Sequence, residues 1–340
     1  MQAFQIQGDA GIPDAIHRTD LPDLDAAGPG PGQVRLKIHA CSLNFRDTIV
    51  TAGGYPRNAM NPVVPLSDAA AEVLAVGDGV NQWTPGDRVM ANFMRDHLGG
   101  RPTETALASS FGGGLDGFLR EQADVPASCL VRIPEHLSYA EASTLPCAAL
   151  TAWNALTSAG ATAGQSVLLL GTGGVSIFGL QLAHAMGLET IITSSSDAKL
   201  EKAQALGARH TINYKQHPEW HEQVRALTGG RGVDHVLEVG GAGTLERSLQ
   251  STAVGGTISL IGLLTNPDEQ PSILPALLEA ITIRGIYVGS VQQLDALARA
   301  VELHQLKPVV DRVFPFDDAP AAYQHLRSQT HLGKVVIQIT

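Results

Sequence analysis

The chain is 340 residues long, enough for two domains with a sizeable core. Its 44% hydrophobic and 16% charged residues are ordinary for a globular protein, and no apolar run reaches the roughly 20 residues that span a bilayer. A net charge of -10 with no basic stripe argues against a nucleic-acid partner. The first residues, MQAFQIQGDA, have neither the basic nor the apolar region of a secretory signal. Cys41, Cys129 and Cys147 lie far apart and make no disulfide framework and no CxxC pair, which fits a reducing, cytoplasmic setting.

In chain order, QVRLKIHACSL (33–43), AAAEVLAVGDGV (69–80) and PGDRVM (85–90) predict short strands in a β-rich domain punctuated by glycine and proline. From about residue 165 the pattern changes to short apolar runs alternating with helical stretches. SVLLLG (166–171) predicts a buried strand, and 174–187 a helix with apolar residues at 175, 178, 182 and 186. Then follow IITS (191–194), a helix over 197–207, HTINY (210–214), a helix over 219–227, VDHVLEV (233–239), a helix over 244–251 and GTISLIG (256–262). This alternation predicts βαβ units and a doubly wound parallel sheet. ILPALLEAITIRGIYVGS (273–290) predicts a helix and then an apolar strand at the sheet edge. The final LGKVVIQIT (332–340) predicts a strand that returns to the first domain. The predicted organisation is a β-rich domain from 1–124 and 290–340, interrupted by an α/β domain from 125–289.

The strand SVLLLG runs through Gly171, Thr172, Gly173, Gly174 and Val175 directly into a helix. Gly171 can make the tight turn, Gly173 lets the backbone approach a pyrophosphate, and the helix N-terminus offers free N–H groups to that anion. Ser176 stands at the third glycine of the dinucleotide fingerprint, where small size is what the packing needs. At the end of the second strand, Ser194, Ser195 and Ser196 with Lys199 suit the 2′-phosphate of NADP(H) better than a ribose diol. Tyr214 can close over the same phosphate. Asp197 is the counter-evidence, read as the start of the next helix; a polar loop with a solvated lysine is the alternative. Gly240 joins the candidate cofactor-binding set.

The whole chain resembles the medium-chain dehydrogenase/reductases, on the branch of quinone oxidoreductase-like enzymes that lack zinc. The resemblance rests on HACSLNFRDTIVTAGGYP (39–56), SDAAAEVLAVGDGVNQWTPGDRV (67–89), STLPCAALTAWNAL (143–156), LLLGTGGVSIFGLQLAHAMG (168–187), ALGARHTINY (205–214) and LGKVVIQIT (332–340). It implies a GroES-like catalytic domain plus a Rossmann domain, with the active site in the cleft between. It also implies that Lys199 and Tyr214 hold the 2′-phosphate, that Lys334 of the Gly333-Lys334 pair lies near the cofactor, and that Thr151 packs beside the nicotinamide. The zinc-ligand positions of the superfamily hold Asn44, Ser67 and Cys147, an amide, a hydroxyl and one thiol, so no zinc is expected.

Without a metal, hydride transfer needs a hydrogen-bond donor at the acceptor oxygen. Asn44 is the first candidate and Tyr55 a second donor or proton source. Arg46 and Asp47 flank them, either as part of the site or as an ion pair ordering the loop. The expected substrate is a quinone or α,β-unsaturated carbonyl reduced by NADPH. An alcohol or carbonyl dehydrogenase using NAD(P) and a non-catalytic NADPH-binding protein are the alternatives. The glycine-rich 92–118 segment is expected to shape substrate choice, with Phe93 and Leu98 as lining candidates, unless it is a loose surface insertion. The apolar edge strand predicts a homodimer.

Overall fold

The computed structural model describes residues 1–7, 15–55, 60–262, 264–265 and 270–340. Pro56 of the predicted GGYP turn lies outside them. The strands in chain order are β1 (Gln2–Ile6), β2 (Ile16–Asp20), β3 (Gln33–Ser42), β4 (Asp68–Val76), β5 (Arg88–Ala91), β6 (Gln122–Pro126), β7 (Leu130–Arg132), β8 (Ser166–Leu169), β9 (Glu189–Ser194), β10 (His210–Asn213), β11 (Val233–Glu238), β12 (Thr252–Leu260), β13 (Thr282–Gly285), β14 (Val310–Pro315) and β15 (Lys334–Gln338). The chain divides into two compact units, Met1–Leu150 with Gly289–Thr340, and Thr151–Val288. No helix among the described residues is long and apolar enough to cross a membrane.

The first unit holds a sheet of order β14-β15-β3-β4-β5-β7, with β6 also paired to β3 and a separate β1–β2 hairpin. Only β14 and β15 run parallel in it. In β3, Val34, Leu36, Ile38 and Ala40 alternate into the core, as a half-covered antiparallel strand requires. Phe118, Val335, Ile337 and Tyr323 of the 319–327 helix fill the same core. The predicted return of the last strand is found: β15 pairs antiparallel with β3, Val336 opposite Ser42. Gly333 makes the entry to β15 at φ +76°, where a Cβ would lie 2.3 Å from the Val309 carbonyl oxygen. The unit extends to Leu150, beyond the sequence boundary at 124, because β6 and β7 pair with β3 and β5, the helix Tyr139–Ala142 packs on β3 and β4, and the turn Leu145–Ala149 packs on β4.

In the second unit all six strands are parallel, in the order β10-β9-β8-β11-β12-β13. Strand order reverses between β8 and β11, the switch point where open α/β sheets bind ligands. β8 is buried on both faces, so it reads as a continuous apolar run. The helix Gly174–Ala185 buries a broader stripe than its sequence period indicates, from Ser176 to Leu180 and again at Leu182 and Ala183. Gly179 is the reason it can sit so close: a Cβ there would lie 2.8 Å from Leu237 Cδ2 and 2.9 Å from Leu169 Cδ2. At the sheet edge, all four residues of β13 are exposed, and Leu277 and Leu278 of the preceding helix are 77% and 71% exposed.

Candidate functional site

In the β-rich unit, the β15–β3–β4 register decides what meets what. Ser42 stands opposite both Val336 of β15 and Asp68 of β4. Leu43 N–H donates to the Val335 carbonyl, and Lys334 and Asn44 lie one residue beyond that contact on each strand. Asn44 leaves the strand and caps the helix Phe45–Thr51; its N–H donates to Asp47 Oδ2 at 2.7 Å. The Lys334 side chain is buried and its ammonium donates to the Leu43 carbonyl at 2.7 Å and to Asn44 Oδ1 at 2.5 Å. Asp68, fully buried, lies 3.8 Å from the same ammonium. Its two oxygens accept from the hydroxyls of Ser67 at 2.8 Å and Ser42 at 3.2 Å.

A lysine ammonium can only donate, so the atom it touches on Asn44 is the oxygen, and the amide orientation is fixed by chemistry. The other amide atom, Nδ2, is buried and has no partner among the described residues. A buried donor left unmet costs about 1–3 kcal/mol, so its retention calls for an account.

Beside it, Arg46 donates to the Phe111 carbonyl at 2.7 Å and lies 3.5 Å from Asp47 Oδ1. Its guanidinium covers the half-buried Tyr55 ring at 4.7 Å and the Phe93 ring at 5.0 Å. The Arg46–Asp47 pair is therefore part of the packing around Tyr55 as well as a loop tie. Burial pushes the Asp47 carboxyl up to about 6, against the pull of Arg46 and of the Asn44 N–H. Cys147 lies in a π-helical turn, Leu145–Ala149; burial, then the negative charge of Asp68, drives its thiol well above the usual range. Thr151, buried, begins the second unit just beyond this turn.

The glycine-rich 92–118 segment is folded. Met94 bridges Ser110, Phe111 N–H donates to the Phe93 carbonyl, and Thr103 caps the helix Glu104–Ala108. A Cβ on Gly117 would lie 2.1 Å from the Leu66 carbonyl oxygen, so this glycine permits backbone to lie on backbone next to Ser67. Of the two lining candidates, Phe93 is buried against Arg46 and Leu98 is 49% exposed. A loose insertion is not what these contacts describe.

In the parallel-sheet unit the glycine turn stands at the C-terminal end of β8. Gly171, at φ +73°, donates its N–H to Thr193 Oγ1 at 3.1 Å, and Gly173 caps the helix Gly174–Ala185. A Cβ on either glycine would meet nothing within 4 Å, so the space over the helix N-terminus is open. Gly174 and Val175 form the first helical turn. Ser176, buried, donates to the Leu170 carbonyl at 2.6 Å and so satisfies its hydroxyl at the third fingerprint position. Thr172 and Ser194 are buried with their hydroxyls 3.4 Å apart; Ser195 is half-buried in the loop that follows. Lys199 lies in the first turn of the helix Asp197–Ala205. Tyr214 is 40% exposed at the end of β10, its N–H donating to the Ser194 carbonyl at 3.0 Å. Asp197 opens the helix as read from sequence, and its carboxylate is taken by Asn213 Nδ2 at 2.6 Å and Gln216 Nε2 at 2.9 Å.

Gly240 follows β11, and its N–H donates to Glu238 Oε1 at 2.7 Å. Glu238 is fully buried and also accepts from Gly241 N–H and the hydroxyls of Thr244 and Ser248. Sequence reasoning missed Asp68, Gly179 and Glu238. The one visible signal for Asp68 is a charge opening a mostly apolar strand; Ser42 and Lys334, which meet it, come from strands far away in sequence.

Two family models match the chain: an alcohol dehydrogenase GroES-like domain over residues 30–135 and a zinc-binding dehydrogenase over residues 174–303. A zinc-type alcohol dehydrogenase-like protein of Schizosaccharomyces pombe is 45% identical over 316 residues, 91% of each chain. The quinone oxidoreductase of Rattus norvegicus is 28% identical, covering 93% of this chain and 92% of its own. Among solved structures, a putative alcohol dehydrogenase from Sinorhizobium meliloti is 42% identical with a TM-score of 0.90, covering 99% of this chain and 98% of its own. A mycobacterial protein complexed with NADPH is 27% identical with a TM-score of 0.83, and each chain is covered in full. With its GroES-like unit, its parallel-sheet unit of Rossmann order and these full-length relatives, the chain belongs to the medium-chain dehydrogenase/reductase superfamily and is an oxidoreductase of that family.

Proposed function

We propose that this oxidoreductase uses NADPH to reduce a quinone or an α,β-unsaturated carbonyl, without a metal. The observation that carries the reading is Asn44 Nδ2, a buried donor with no partner among the described residues, whose amide oxygen is pinned by Lys334. A carbonyl or quinone oxygen gains negative charge as hydride adds to the conjugated carbon, and a donor that reaches that oxygen stabilises the charge as it forms. The Tyr55 phenol, held under Arg46, is the proposed second donor and the proton source that completes the reduction.

The nicotinamide cofactor, when bound, supplies the hydride. Gly171, Thr172, Gly173, Gly174 and Val175 would hold its pyrophosphate on the open helix N-terminus, with Gly240 at the end of the neighbouring strand across the switch point. Ser195, Lys199 and Tyr214 would meet the 2′-phosphate. Ser194, whose hydroxyl is turned to Thr172, would shape that loop from below. The engagement of Asp197 by Asn213 and Gln216 supports NADPH, since that carboxylate is spent within the protein. Thr151 is proposed to pack beside the nicotinamide.

The residues at the family's zinc positions do not fit the metal. The Asn44 oxygen is bound to an ammonium and Ser67 donates to Asp68, which leaves Cys147 as the one thiol of the three. This donor set favours an already activated acceptor over a plain alcohol, whose hydroxyl proton zinc would help remove. The exposed edge strand β13 and its flanking Leu277 and Leu278 further support a homodimer paired along that edge. A monomer mass by sedimentation at micromolar concentration would contradict this assembly.

The testing experiment measures dissociation constants for NADPH and NADH by nicotinamide fluorescence, then follows cofactor oxidation by 1,4-naphthoquinone and by 3-buten-2-one. Preference for NADPH with turnover of either acceptor is the expected result. Preference for NADH with turnover of simple aldehydes alone would replace this reading with an alcohol or carbonyl dehydrogenase. Tight NADPH binding with no turnover across a broad acceptor panel would point to a non-catalytic NADPH-binding protein.

A further inference from the structure

We propose that Lys334 is a positioning residue, whose ammonium fixes and polarises the Asn44 amide so that Nδ2 faces the acceptor oxygen as a strengthened donor. This rests on the Asn44 reading above and goes beyond it, because the resemblance gives the residue at 334 a place near the cofactor instead.

The geometry points to Asn44 on three counts. Val336 lies opposite Ser42 and the Leu43 N–H donates to the Val335 carbonyl, so the sheet carries Lys334 and Asn44 to the same end and needs no long side-chain search. Both hydrogen-bond partners of the ammonium, the Leu43 carbonyl and Asn44 Oδ1, belong to the strand exit that carries the amide. The side chain is buried, and Asp68 at 3.8 Å supplies its counter-charge from the other flank of β3, held in turn by Ser67 and Ser42. A cation on an amide oxygen draws electron density from the nitrogen, and hydrogen bonds in series polarise one another. The position that would hold a metal ligand in the zinc relatives thus presents an amide whose remote end is bound to a fixed positive charge. The charge acts through Asn44 and does not itself touch substrate.

The test compares Lys334→Met, Lys334→Gln, Asn44→Ala and the Asn44→Ala/Lys334→Met double variant, each first shown to be folded by thermal melting. Removing one oxyanion donor costs about 10²–10³-fold in kcat, and losing only its orientation should cost less, about 10–100-fold. Lys334→Met should therefore lower kcat with 1,4-naphthoquinone while leaving the NADPH dissociation constant within about two-fold. Lys334→Gln, which can still donate to Asn44 Oδ1, should recover part of the loss. In the Asn44→Ala background, Lys334→Met should add nothing. A ten-fold weaker NADPH affinity, or additive losses in the double variant, would overturn the proposal and make Lys334 a cofactor contact. If Asn44→Ala alone kept full kcat, the Asn44 reading itself would fail, a separate result.

A readout free of turnover is the Asn44 side-chain NH2 signal in protein labelled with 15N-asparagine, assigned by its loss in Asn44→Ala. It should shift and broaden in Lys334→Met and return toward its original place in Lys334→Gln. An unchanged signal in Lys334→Met would overturn the proposal whatever the kinetics.

Discussion

Arg46, Asp47, Asp68 and Lys334 bring four formal charges, two of each sign, into the interior of the β-rich unit. In the parallel-sheet unit the buried Glu238 is met by neutral donors, two backbone N–H groups and two hydroxyls, and the glycine turn offers N–H groups and empty space. On the function proposed above, the contrast follows from what each site has to hold. A dinucleotide arrives with its own full charges, so at its pyrophosphate backbone dipoles and room are enough, and a buried ion there would add desolvation cost. The proposed acceptor, a carbonyl or quinone, arrives neutral and develops charge during reaction, so there the protein must supply the field in advance. Buried ion pairs seldom stabilise a fold beyond what apolar packing would give, so the charged cluster is better accounted for by the site than by stability.

If the β-rich unit bears that cost, pH should reveal it. Asp47 titrates at about 6 because burial outweighs Arg46 and the Asn44 N–H, whereas an ordinary aspartate titrates at 3.8. The folded chain therefore binds this proton more tightly than the unfolded chain. The stability contributed by the group is complete below about pH 4 and is lost as pH rises through 6, levelling above it. Two pH units correspond to about 3 kcal/mol at most. Asp47→Asn keeps an oxygen for the Asn44 N–H and removes the charge. Its urea-unfolding free energy should rise relative to the wild type between pH 4.5 and 7. A difference that stays constant over that range would break the comparison, by showing Asp47 to be fully compensated in place.

The two sites also differ in how far the sequence reveals them. The glycine turn is contiguous: strand, Gly171, Gly173 and helix follow one another within 20 residues, and the physics of a helix N-terminus acts locally. The doubly wound parallel sheet was legible for the same reason, from strands alternating with helices, while its order β10-β9-β8-β11-β12-β13 is a finding of the structure. Lys334 and Asn44 are 290 residues apart, and only the register of β15 on β3 joins them. Asn44 was visible as a candidate, but the direction of its amide and the burial of Asp68 depend on pairings across three strands. The extent of the first unit was hidden likewise, since short β6 and β7 show their membership only through their partners. Gly179 carried no turn signal in sequence, because its role is to admit two leucines from the sheet.

That last difference gives a paired substitution that sharpens the comparison on the neutral side. Gly173 has extended backbone at φ -78° and ψ -177°, which valine adopts freely, and its Cβ would meet nothing within 4 Å. Gly173→Val should leave stability within about 0.5 kcal/mol, as for a surface change. Its isopropyl group would occupy the space over the helix N-terminus and displace the pyrophosphate from one or two charge-assisted hydrogen bonds. Each is worth about 1.5–3 kcal/mol, so losing one weakens NADPH by about 10–100-fold. Gly179→Val does the reverse. Its Cβ would press on Leu237 and Leu169 at under 3 Å, and overpacking of this kind costs about 1–3 kcal/mol of stability. NADPH affinity of the molecules that remain folded should stay near wild type. Urea midpoints and nicotinamide fluorescence titrations on the same preparations separate the two. Should Gly173→Val lose stability and keep its affinity, the open turn would be a structural device, and the division between a site of dipoles and a site of charges would fall with it.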